Sequence, residues 1–222
     1  MRLPWRAATV IGFAVAMAYL ESAVVVYLQR ALGITPNGLF PLRGPDVVGN
    51  LAAIEVGREF ATMVMLVGIG CLAGRTKLER LAWTAVAFGV WDVFYYAWLW
   101  VFLGWPSSPG TWDVLFLIPV PWTGPVWAPL TVSAALIGFG LAAAREIDAG
   151  RAVRVGRTNI VLGLCGGLLV ILSFTLDAAR IMSGGLPGWY PWPVFVAGMV
   201  VAGWGALIAL GPENRRNLAA AE

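Results

Sequence analysis

Six apolar stretches divide the chain, at about 7–29, 52–74, 80–104, 124–145, 158–181 and 190–211. Between them lie short segments where charge, proline and glycine concentrate. Each stretch is long enough to cross a bilayer core, which takes about 20 apolar residues in helical form. Peptide groups find no water in that core, so each segment must satisfy its backbone internally, as a helix does. The alternation of apolar and polar positions that marks membrane barrel strands is absent. The pattern predicts an all-α, polytopic integral membrane protein with six transmembrane helices in one bundle, forming a single domain over 1–222. Composition agrees: 59% of residues are hydrophobic and only 12% charged, where a soluble domain carries about 25% charged residues.

Basic residues set the expected orientation. Arg2 and Arg6 precede the first stretch. Arg75, Lys77 and Arg80 lie between the second and third, and Arg145, Arg151, Arg154 and Arg157 between the fourth and fifth. Arg215 and Arg216 follow the sixth. These are eleven of the fifteen Lys and Arg residues, all on one side of a six-helix arrangement. The positive-inside rule then predicts cytoplasmic termini and a bacterial-type inner (plasma) membrane location. Arg2, Arg6 and the triplet Ala16-Met17-Ala18 resemble a signal peptide, but the apolar run continues to Leu28, so an uncleaved first helix is expected.

Eight of the twelve tryptophans (Trp98, Trp100, Trp105, Trp112, Trp122, Trp127, Trp189 and Trp192) map to the opposite, outer boundary. Indole rings favour the headgroup level, and some of these are also placed to line a site. The outer connections are the long ones. Residues 30–51 hold Pro36, Gly38, Pro41, Gly44 and Pro45. Residues 105–125 contain WDVLFLIP, too short to span, and read as an interfacial or re-entrant segment near 111–121. A short helix there would have Thr111 as N-cap and end at Pro119 and Pro121. The triplet WDV occurs at 91–93 and again at 112–114, with no wider repeat.

Buried charge carries the functional signal. Glu21, Glu55, Glu59, Asp92, Asp113 and Asp177 all fall in the predicted outer half, as do Arg58 and Arg180. Glu55, Arg58 and Glu59 share a helix face through spacings of three and four, and Asp177 and Arg180 are three apart. Charge inside a membrane costs at least about 2.5 kcal/mol, so such groups usually face the interior or a water-filled cavity. An acidic pocket between the first, second, third and fifth helices is expected, with net charge −4 if every group is ionised. Glu21 and Asp92 have no basic residue within one helical turn. Phe88, Tyr95, Tyr96 and Leu99 lie on the face of Asp92 and would give the pocket aromatic walls, with the tyrosines as donors. The expected ligand- or cation-binding set is Glu21, Glu55, Arg58, Glu59, Asp92, Tyr95 and Tyr96, with Asp113, Asp177 and Arg180 secondary. The cytoplasmic half holds no comparable set. Gly68, Gly70, Gly74, Gly163, Gly166, Gly167 and Gly198 read as close helix packing.

The absence of histidine argues against haem, most zinc sites and Ser-His or Cys-His chemistry. Cys71 and Cys165 lack CxxC spacing and read as small buried apolar residues. No P-loop, GxSxG or zinc-protease motif occurs. A hard divalent cation on Glu21, Glu59 and Asp92 is compatible with oxygen-only ligands. The leading expectation is an outward-facing acidic, aromatic-lined pocket for a cation, a proton or a small ligand, with transport or chemistry undecided. A membrane enzyme acting on a lipid or outer-leaflet substrate and a non-catalytic subunit or assembly factor are the alternatives. Membrane lipids are the expected partners, other membrane subunits are compatible with so small a chain, and nothing points to nucleic acid.

Overall fold

The computed structural model describes residues 3–31, 45–151, 153–183, 185 and 187–211, with the backbone alone for 45–52. The expectations placed on Arg2, on 32–44 and on the tail with Arg215 and Arg216 lie outside the described residues. The chain runs α1 (Leu3–Ala31), α2 (Pro45–Ala73), α3 (Lys77–Leu103), β1 (Trp112–Phe116), β2 (Trp122–Pro125), α4 (Trp127–Asp148), α5 (Arg157–Thr175), α6 (Ala178–Met182) and α7 (Trp192–Leu210). Six helical segments are long and apolar enough to cross a membrane: Leu3–Ala31, Ala53–Ala73, Lys77–Leu103, Trp127–Asp148, Arg157–Met182 and Trp192–Leu210.

The helix ends follow local chemistry. Thr76 caps α3 by accepting the Glu79 amide at 3.1 Å. Gly104 closes α3 in the left-handed region at φ 65°, where a Cβ would be strained, and its N–H reaches the Trp100 carbonyl. Pro45 opens α2 and extends it into the segment expected to be a loop. A proline suits the first helical turn because its missing N–H would have no helical acceptor there.

Helix α3 packs against α1, α2 and α4, while α5 packs along α7 and α4 makes a smaller contact with α7. The first group shares a core around Trp83, Val86, Val90 and Trp91 with Val10, Ala14 and Leu66. Ser22 ties α1 to α3 through the Tyr95 carbonyl at 3.0 Å. Close approach of α5 and α7 rests on Gly166 and Gly198: a Cβ on Gly166 would sit 2.4 Å from the Ala202 nitrogen. Gly68, Gly163 and Gly167, expected to serve the same purpose, face open space instead. Cys71 and Cys165 are also exposed rather than buried. Both sit on outward helix faces, where lipid rather than protein would meet a small apolar side chain.

The expected short helix near 111–121 is a β-hairpin. β1 pairs antiparallel with β2 from Trp112 opposite Pro125 to Phe116 opposite Trp122, with an irregularity between Val114 and Phe116. A short apolar run bounded by prolines fits a strand as well as a helix, and its aromatic and β-branched residues favour the strand. Thr111 does not cap a helix. Its hydroxyl accepts the Ser108 amide at 3.1 Å, and its carbonyl accepts the Val126 amide at 2.9 Å. This closes the base of the hairpin, which lies against both helix groups: Phe116 on the first core, and Trp112, Leu115 and Trp122 on a second core around Phe174, Tyr190 and Phe195.

Candidate ligand pocket

The middle of α2 brings Glu55, Arg58 and Glu59 onto one face. Across from them, α1 presents Glu21 and Gln29, and α3 presents Trp91, Asp92, Tyr95 and Tyr96. β1 closes the fourth side with Trp112 and Asp113. Five carboxylates and one guanidinium thus line a single cavity of about 80 Å³. A buried water needs about 10–15 Å³ of such space, so the cavity has room for a few waters or one small headgroup.

Arg58 lies between two buried carboxylates. It bridges Glu21, which also accepts the Thr62 hydroxyl, and its Nε donates to Glu55 Oε2 at 2.9 Å. Glu21 has no basic residue near it in sequence because its partner comes from the neighbouring helix. Glu59 pairs with neither Arg58 nor Arg180. Both its oxygens accept the Leu117 amide, at 3.0 and 2.9 Å, just beyond β1. The hairpin ladder stops short of that N–H, and a buried N–H must find an acceptor. Asp92 accepts the Ser133 hydroxyl of α4 at 2.7 Å. Asp113 accepts the Tyr96 hydroxyl at 3.0 Å and its neighbour's amide, Val114, at 2.8 Å. The two WDV triplets therefore place their aspartates in one pocket.

The hydrogen-bond donors to Glu59, Asp92 and Asp113 are all neutral. Two further wall groups are buried and have no hydrogen-bond partner among the described residues, Gln29 Oε1 and Trp91 Nε1. Their residues are 8% and 7% exposed. Among the described residues, no group of three or more His, Cys, Asp or Glu side chains is placed to hold a metal ion. Glu21, Glu59 and Asp92 share the cavity but do not form such a set.

Asp177 and Arg180 do not join this pocket. Asp177 follows the end of α5, and its Oδ2 accepts the Gly188 amide at 2.6 Å. Its Oδ1 stands 3.8 Å from Arg180 Nε. Asp177 lines a separate cavity with Ser173, Trp189 and Tyr190. The fourth wall expected from the fifth helix is supplied by the hairpin, because α5 packs along α7 rather than against α1, α2 or α3.

The other end of the helices holds a charged cluster that the sequence pattern passes over. Arg6, 3% exposed, contacts Glu79, 1% exposed, and reaches Asp148 Oδ1 at 2.5 Å. Glu79 also accepts the Arg75 amide at 2.8 Å. Arg6 thus links α1, α3 and α4. The sequence Thr76-x-x-Glu79 is a helix-start signature that flags Glu79 as a local acceptor, but nothing in the sequence shows that Arg6 returns to it.

The bond between Glu59 and Leu117 carries its own expectation. Hydrogen bonds to a charged group contribute about 1.5–3 kcal/mol. Glu59→Ala should therefore raise amide exchange across 112–125 on the order of tenfold or more, by hydrogen–deuterium exchange mass spectrometry, and Glu59→Gln should do less. Unchanged protection in Glu59→Ala would mean that this carboxylate does not hold the hairpin.

No known protein family, curated protein or solved structure matches the chain.

Proposed function

We propose that the chain is a multi-pass inner-membrane protein whose hairpin-covered pocket binds an organic cation bearing an ammonium group. The observation that carries this reading is the trio Glu59, Asp92 and Asp113. Each is a carboxylate bonded only to neutral donors, in a cavity walled by Trp91, Tyr95, Tyr96 and Trp112. Buried carboxylates without a cationic partner invite one. The carboxylates are too dispersed for a metal cage, whereas aromatic faces attract ammonium groups at about 0.5–2 kcal/mol per contact. The acceptor Gln29 Oε1 suits an N–H of the ligand, and the donor Trp91 Nε1 suits an oxygen on it.

Arg6, Arg75, Lys77, Arg80, Arg145 and Arg157 lie at or near the helix ends opposite the hairpin. By the positive-inside rule that end is cytoplasmic and the pocket opens to the outer side.

Proton binding competes with the ligand in this reading. Asp113 faces Asp92, Tyr95 and Tyr96 of α3, Arg58, Glu55 and Glu59 of α2, and Glu21 of α1. Burial pushes its carboxyl up to about 7, against the opposing bonds from Tyr96 and Val114 and with the charge of Asp92 adding to the rise. A carboxyl raised in the fold stabilises it when protonated, and that contribution is lost as pH rises through about 7. A bound cation favours the ionised form, so affinity should increase with pH through about 7 and release a proton on binding. Calorimetric titrations of the wild type on either side of that pH would show the dependence.

Isothermal titration calorimetry in nanodiscs tests the proposal with tetramethylammonium and propylammonium. Saturable binding that is lost in Asp92→Asn and in Asp113→Asn is expected, with acetate giving none. Absence of saturable binding by either cation, or equal binding in both variants, would refute it.

A further inference from the structure

A second cavity lies against the first. It is a half-open cleft of about 530 Å³ between the α3–α4 pair and the α5–α7 pair. Ligand sites for small molecules run to about 300–1,000 Å³, so it is large enough to hold the body of one. Its lining is apolar: Phe88, Leu136, Phe139, Ile171 and Met199 are typical. Gly163, Gly167 and Gly203 leave parts of the wall without side chains, and a Cβ added at any of them meets nothing within 4 Å.

The two cavities share Asp92, Leu115 and Phe116 as a common wall. Asp92 is the sole ionisable side chain on the apolar side among the described residues, and its Oδ2 is held by Ser133, which also lines that cavity. The carboxylate therefore stands where an acidic, aromatic chamber meets a large hydrocarbon chamber. A purely apolar occupant would leave this carboxylate without a cation. A purely polar one would leave the larger space without contacts. Both are met by one molecule with an ammonium head and an apolar tail.

We infer that the ligand class is an amphiphilic ammonium compound, its head among Glu59, Asp92 and Asp113 and its hydrocarbon tail in the cavity between α3–α4 and α5–α7. This rests on the reading above that the polar pocket takes an ammonium group, and it adds the tail and its place. Leu115 and Phe116 belong to the hairpin, so the hairpin contributes the partition between head and tail.

The test is a series of alkyltrimethylammonium ions from methyl to octyl, titrated into wild-type protein, Gly167→Leu and Gly203→Leu in nanodiscs. Burial of one methylene corresponds to about fourfold in affinity. Wild-type affinity should climb by about that factor per methylene over the first few carbons. Leucine at Gly167 or Gly203 grows into open space, so these variants should fold, bind tetramethylammonium as the wild type does, and lose most of the chain-length dependence. Agreement of both variants guards against a fault particular to one. If tetramethylammonium binds but all three proteins show the same chain-length dependence, the tail is in the bilayer rather than the cavity and the inference is overturned. If tetramethylammonium itself does not bind, the ammonium reading fails with it. If long chains bind, are blocked by Gly167→Leu and are indifferent to Asp92→Asn, the cavity takes any hydrocarbon and the inference is overturned while the cavity's role survives.

Discussion

Arg58→Met is expected to weaken the fold and tighten cation binding at the same time. The guanidinium lies between Glu21 and Glu55, both 6% exposed. Removing one partner from a buried ion pair typically costs about 3–5 kcal/mol, because the charge left behind has neither water nor counter-charge. Thr62 still donates to Glu21, and Arg58 is itself partly exposed, so the lower end of that range is expected. Equilibrium unfolding in detergent would measure the loss. Binding should move the other way. Arg58 repels any cation entering the pocket, and its removal should raise tetramethylammonium affinity on the order of tenfold. A pocket built for an anionic headgroup on Arg58 would show the reverse, with the anion's affinity abolished and the cation's unchanged.

Arg6→Met is expected to cost a comparable amount of stability, roughly 3–5 kcal/mol, without touching the pocket. Arg6 reaches Glu79 and Asp148 from one planar group, and the lysine ammonium at the end of a flexible stem cannot reproduce that fork. Arg6→Lys should therefore recover only part of the loss. Arg151→Ala is the contrasting case. Its pair with Glu146 is exposed, where water and salt screen the attraction, so its loss should cost far less than that of Arg6. Unfolding curves for the three variants side by side would show whether burial, rather than the number of ion pairs, sets the ranking.

The helices were legible because lipid enforces a simple code. A span must be apolar, about 20 residues long and internally bonded, and each of the six stretches met those conditions. The hairpin was not legible in the same way. WDVLFLIP is short enough that periodicity does not separate strand from helix, and its partner WTGP straddled the boundary between the outer segment and the fourth span. The proximity of Glu21, Glu55, Glu59 and Asp92 could be read from predicted depth, since a charge buried within a span needs a polar neighbour. The partners could not. Arg58 serves Glu21 from another helix, Ser133 serves Asp92 across 41 positions, and Leu117 serves Glu59 across 58. Asp177 shows the limit of the depth argument: its predicted height matches, but it follows a helix that packs along α7 away from the pocket, and its Oδ2 accepts the Gly188 amide. Arg6 shows the complementary error. Charge counting assigned it to orientation, whereas the fold also uses it as the buried centre of an ion cluster.

Saturation-transfer NMR on tetramethylammonium, irradiating the aromatic protons of the protein in deuterated-lipid nanodiscs, asks most directly whether an ammonium group enters the pocket walled by Trp91, Tyr95 and Tyr96. Transfer to the methyl protons in the wild type, strengthening above neutral pH and abolished in Asp92→Asn and Asp113→Asn, is the expected result. No transfer in the wild type, or transfer of equal strength in both variants, would contradict a cation-binding pocket.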